Sequence, residues 1–147
     1  MPILTNEMMR AIIMDHNNNP RNKKVPEENK GYISVHRHSD NCVDDIEVYI
    51  KEENGIITDC LWYGTACAIS AASTDIMCDM ARGKNKEEAM KVISNFMAML
   101  HEEHYDEEVL DEANAFANTY KQASRIRCAM IGWDGLKELI EDGKDHK

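Results

Sequence analysis

Apolar and polar residues alternate through "DDIEVYIKEENGIITDCLWYG", residues 44–64: Ile46, Val48 and Ile50 fall on one side, Glu47, Tyr49 and Lys51 on the other. A period of two is the mark of a half-buried strand. Asn54-Gly55 interrupts the alternation with two residues that tolerate positive φ, the signal of a tight hairpin. Residues 32–63 therefore predict a small antiparallel sheet of about three strands. Ahead of it, residues 5–16 place Met8, Met9, Ile12 and Ile13 on one helical face. Three successive asparagines, Pro20 and Pro26 then break the helix.

Beyond Gly64 the period becomes helical. "ACAISAASTDIMCDMARG" reads as a helix with Gly83 at its C′ position. Asn85 followed by Glu88 forms a capping-box signature for the next helix. Residues 107–121 and 128–142 predict two more helices, with Gly143 closing the last. One helix, three strands and then four helices make an α+β fold, a small antiparallel sheet packed against helices.

The length of 147 residues suits a single domain spanning 1–147. A net charge of −10 argues against nucleic acid as a partner, since phosphate binding needs a basic surface. No apolar run reaches the roughly 20 residues of a membrane span, so no membrane partner is expected. "MPILTNEMMR" lacks the basic and apolar regions of a signal peptide, and the expected location is the cytoplasm.

Five cysteines in such a chain point away from a disulfide framework and toward core, reactive or metal-ligating thiols. None form a Cys-x-x-Cys pair, so a metal site would have to gather distant segments. Cys42 precedes a strand, Cys67 stands where strand gives way to helix, and Cys128 opens the last predicted helix. A helix N-terminus favours thiolate, as do Arg125 and Arg127 beside Cys128. Cys78 lies on the same helix as Cys67 but about 16 Å along it at a rise of roughly 1.5 Å per residue, too far to share a zinc ion. It reads as a core residue, and so does Cys60, which alternates with Trp62. Asp44 follows Cys42 by two and can point to the same side; three thiolates and a carboxylate would suit tetrahedral zinc. His36, His38 and "HEEHYDEE" read as exposed positions, the latter lacking the spacing of a metalloprotease motif. His16 reads as structural, capping the first helix.

Three motifs in order give a specific resemblance. "DHNNNPRN" (Asp15–Asn22), "GTACAISAAS" (Gly64–Ser73) and "SRIRCAMIGW" (Ser124–Trp133) resemble the motifs of the U-type iron–sulfur cluster assembly proteins, the family of IscU, NifU and SufU. The long spacing from Cys67 to Cys128 looks most like the SufU type. So does Arg127 at the position where IscU-type scaffolds carry histidine; a guanidinium cannot ligate a metal. The Leu-Pro-Pro-Val chaperone motif of IscU is missing. The resemblance implies a zinc site on Cys42, Asp44, Cys67 and Cys128 and a sulfurtransferase working with a SufS-type cysteine desulfurase. Downstream iron–sulfur scaffold proteins would be further partners. An alternative is a scaffold holding a nascent iron–sulfur cluster on the same cysteines. Another is a non-catalytic module that zinc merely stabilises.

The acceptor thiol is expected to be Cys42, because a polar loop can move while helix starts cannot, and the resemblance points the same way. One departure stands out. Where the family carries Asn-Pro-x-Cys-Gly-Asp, this chain reads Ser39-Asp40-Asn41-Cys42-Val43-Asp44. Valine in place of a positive-φ glycine would be strained, and Asp45 becomes a rival to Asp44.

Overall fold

The structure, a computed structural model, describes residues 4–39 and 43–145, with side chains as far as residue 142. Helix α1 (Asn6–Asn18) starts at Thr5, whose hydroxyl accepts from the Met8 N–H at 3.1 Å. Its inward stripe is Met9, Ile12, Ile13 and the buried His16, the i, i+3, i+4, i+7 spacing of a helix face. Met8, expected on that face, falls one position outside it and is 43% exposed.

The predicted sheet forms as β1 (Tyr32–His38), β2 (Asp45–Glu53) and β3 (Ile56–Thr65), antiparallel in the order β1-β2-β3. Val35 faces Val48, and Val48 faces Trp62. Asn54 (φ 54°) and Gly55 (φ 82°) turn the β2–β3 hairpin as the sequence predicts. Ile46, Val48 and Ile50 are buried toward the helices.

Helices α2 (Ala68–Ala81) and α5 (Ala123–Asp145) cover that face, α2 against β3 and α5 against β1 and β2. They approach each other closely where Gly132 meets Thr74; a Cβ on Gly132 would clash with the Thr74 side chain. Helix α2 ends before Gly83 (φ 83°), at the predicted C′ position. Helix α3 (Lys86–Leu100) carries the predicted capping box between Asn85 and Glu88. Its Phe96 stacks on Trp133 with ring centroids 4.2 Å apart, and Phe116 meets Phe96 edge-on.

Two helical expectations are corrected. Residues 107–121 are not one helix but α4 (Glu107–Leu110) followed by 3₁₀ turns at Asp111–Phe116 and Thr119–Lys121. The Asn114 amide donates to the Glu107 and Asp111 carbonyls, and Asp111 adopts φ 43°; a side chain that takes backbone acceptors competes with the α-helical ladder. Helix α5 begins five residues ahead of its predicted start at 128 and runs through Gly143 to Asp145. Residues 123–125 and 127 are exposed, so no apolar period announced that first turn.

Candidate metal centre

The turn from β3 into α2 sets the geometry. Gly64 adopts φ 138°, and a Cβ there would clash with the Asp45 carbonyl and Ile46 Cα of the adjacent strand. This close passage brings the start of α2 against the start of β2. Cys67 is the N-cap of α2, and its Sγ accepts from the Ser70 N–H at 3.5 Å. That contact occupies one of the first turn's N–H groups, which have no partner within the helix.

Asp44 is buried beside it. Its Oδ1 accepts from the Cys67 N–H at 2.8 Å and from the Ser70 hydroxyl at 2.7 Å. Ser39 donates its N–H to the Asp44 carbonyl at 3.0 Å, tying the end of β1 to the residue that precedes β2. Cys128 comes from α5, is 5% exposed, and directs its thiol toward the Ser124 carbonyl at 3.7 Å. One donor atom each from Asp44, Cys67 and Cys128 lies within 4.8 Å of the other two. In a tetrahedral site, zinc–sulfur bonds of about 2.3 Å and zinc–oxygen bonds of about 2.0–2.2 Å put neighbouring ligand atoms about 3.5–3.8 Å apart, so small side-chain shifts would bring these three donors to ligand distance. The described side chains thus sit close to ligand spacing, and two thiols with one carboxylate match the chemistry of zinc. Cys42, the fourth residue of the expected set, lies outside the described residues. Val43, where strain is expected, is among the described residues and lies exposed.

Asp44 and Asp45 separate cleanly. Asp44 faces the thiols; Asp45 is exposed and pairs with His36. Of the two cysteines expected at helix starts, Cys67 alone stands at one. Cys128 lies in the second turn of α5, away from that helix's free N–H groups. Arg125 and Arg127 project to different clefts, Arg125 beside Met9 and Arg10, Arg127 beside Met97 and His101.

Cys60 and Cys78 are both fully buried, as predicted for core residues. Unforeseen is their contact: the Cys60 Sγ–H donates to Cys78 Sγ at 3.5 Å. Burial first, and the neighbouring thiol second, push the Cys78 thiol well above its ordinary range.

His16 is structural, but it does not cap α1. Its Nδ1 meets Asp75 Oδ2 at 2.8 Å, and its Nε2 meets Glu112 at 3.1 Å. Asp75, fully buried, also accepts from the backbone N–H groups of Arg21 and Asn22 and from the Trp62 indole. "DHNNNPRN" thereby pins the segment after α1 onto α2 and β3. Sequence reasoning missed Asp75, though an acidic residue inside the apolar face of α2 was the available signal. It also missed Ser70, which braces the Asp44 carboxylate.

The family described as NifU-like N terminal domain matches residues 8–129. The zinc-dependent sulfurtransferase SufU of Bacillus subtilis (strain 168) is 33% identical over 134 residues, covering 90% of this chain and 89% of that protein. The iron–sulfur cluster assembly scaffold protein IscU of Streptococcus pyogenes serotype M1 is 31% identical over 137 residues, covering 92% and 84%. Among solved structures, FiSufU of Fervidobacterium islandicum AW-1 superposes with a TM-score of 0.80 at 27% identity, over 86% of this chain and 91% of that one. The N-terminal NifU-like protein of Brucella abortus shares the fold, with a TM-score of 0.80 at 20% identity over 92% and 94%. No helix among the described residues is long and apolar enough to cross a membrane.

Proposed function

The chain belongs to the family of the NifU-like N terminal domain, and on that premise we propose that it is a sulfur acceptor of iron–sulfur cluster assembly, acting as one domain with a SufS-type cysteine desulfurase. The supporting observation is the convergence of Asp44, Cys67 and Cys128, from three separate elements, within 4.8 Å. Similarity to the zinc-dependent sulfurtransferase SufU favours zinc as the resident metal. Cys42, Asp44, Cys67 and Cys128 would hold it. When bound, zinc keeps thiols deprotonated near neutral pH.

The chain's own residues supply the rest. Cys67 is held at the first turn of α2, where its Sγ accepts from the Ser70 N–H. Ser70 and the Cys67 backbone hold Asp44 in one orientation. The assigned acceptor is Cys42, with polar neighbours Asp40, Asn41 and Asp44. Its thiolate attacks the terminal sulfur of the partner's cysteine persulfide. A new S–S bond forms on Cys42 as the partner's S–S bond breaks, and the partner's cysteine leaves as a thiolate. The sulfane sulfur changes hands without any external oxidant or reductant. Recipients would be iron–sulfur scaffold proteins.

A second reading has its own support in the similarity to the IscU scaffold: the same thiolates would carry a nascent cluster as cargo. Metal analysis after anaerobic purification tests both. About one zinc per chain, lost in Cys128→Ser and kept in Cys78→Ser, is the expected result. A brown, iron-bearing protein without zinc would favour the scaffold, and full zinc retention in Cys128→Ser would defeat the assigned ligands.

A further inference from the structure

A groove of about 460 Å³ runs between β1, α3 and α5. Arg37, His38, His101 and Arg127 line it, over an apolar floor that includes Met97 and Met130. In a chain of net charge −10 this lining is unusual. Among the described residues, Asp134 is the one acidic residue in the lining, and burial raises its carboxyl above the ordinary 3.8, opposed by Arg37 and Lys137. Arg37 is partly engaged, with one guanidinium nitrogen 3.3 Å from Glu138 on α5; Arg127 is exposed.

The groove adjoins the candidate centre on two sides. Ser39 lines it and donates to the Asp44 carbonyl at 3.0 Å. Arg127 directly precedes Cys128 on α5. Anything seated in the groove therefore lies next to Ser39, which is hydrogen-bonded to Asp44, and next to the helix that carries Cys128.

We propose that this groove seats an acidic segment with an apolar anchor, belonging to the cysteine desulfurase that donates sulfur. The inference rests on the reading of the chain as a sulfur acceptor. Guanidinium groups pair with carboxylates in forked, directional geometry. The flexible thioether side chains of the floor adapt to an inserted apolar side chain. A phosphate polymer is disfavoured by the chain's overall negative charge. A small anion would leave the methionine floor uncovered. Complementary charge at a rim mainly speeds encounter and fixes orientation, which suits a donor that must present one sulfur atom to one thiol.

The test is calorimetric titration with the purified desulfurase. Wild-type chain should bind, and the affinity should fall as salt is raised. Arg127→Glu and, separately, Met97→Asp should each weaken binding at least about tenfold, with unchanged circular dichroism and zinc content. Arg127→Lys, which keeps the charge but loses the fork, should bind more tightly than Arg127→Glu and more weakly than wild type. Zero-length carbodiimide coupling of that variant should join position 127 to an Asp or Glu of the desulfurase. Lys30→Glu, at the opposite end of β1 from His38, should bind like wild type. Wild-type affinity in both groove variants would overturn the groove assignment and leave the sulfur-acceptor reading standing. No binding by wild type would overturn that reading and the groove with it.

Discussion

The Asp44 carboxylate and the Cys67 backbone N–H are joined at 2.8 Å, so one hydrogen bond links the start of β2 to the N-cap of α2. Oδ1 of Asp44 also takes the Ser70 hydroxyl at 2.7 Å. The same buried side chain is thus a candidate ligand and a structural brace. Asp44→Ala should therefore destabilise the metal-free protein by about 3 kcal/mol, because it strands buried donors that had a charged acceptor. Asp44→Asn should cost less, since an amide oxygen can still accept. Urea unfolding in the presence of a chelator separates this cost from any loss of metal.

Thr74 offers a change in the opposite direction. Its side chain is fully buried against Gly132, and among the described residues Oγ1 has no hydrogen-bond partner. Thr74→Val replaces that hydroxyl with a methyl of similar volume and should raise stability by about 1 kcal/mol. An unchanged or lower melting temperature would show that the hydroxyl is satisfied.

Thiol accessibility should divide the cysteines. Cys60 and Cys78 are fully buried, and burial makes the Cys78 thiol hard to ionise. Iodoacetamide should leave both unmodified in the folded protein and modify them only on unfolding. Cys67, half-buried at a helix start, should react in the folded, metal-free chain. Peptide mapping reads this directly.

Asp134 gives a pH signature. Burial raises its carboxyl above 3.8, with Arg37 and Lys137 opposing. The folded state therefore holds this proton more tightly than the unfolded chain. Ionised Asp134 costs stability at neutral pH, and the cost is relieved as pH falls through the folded value toward 3.8. Asp134→Asn should raise the melting temperature at neutral pH, and the gain should shrink as the buffer is acidified.

The sheet was legible because a period of two survives in a strand with one buried face: Ile46, Val48 and Ile50 are all inside. Turn and cap chemistry was legible at Asn54-Gly55, Gly83 and Asn85 for the same reason, that each signal acts within a few residues. The first turn of α5 was not, since its exposed residues carry no period, and Cys128 was placed at a helix start it does not occupy. The break after Leu110 depends on the Asn114 side chain taking carbonyls of its own segment, which propensity does not reveal. Meeting of Asp44, Cys67 and Cys128 could be suspected from their boundary positions, whereas the His16–Asp75 pair and the Cys60–Cys78 contact exist only once the elements are packed.

Intact-protein and peptide mass spectrometry tests the central claim most directly. Zinc-loaded chain is incubated with the desulfurase and cysteine, then alkylated without reductant. The expected result is a mass gain of one sulfur on the peptide containing Cys42, absent in Cys42→Ser and absent without desulfurase. No sulfur on any cysteine of the chain, alongside an active desulfurase, would contradict the account.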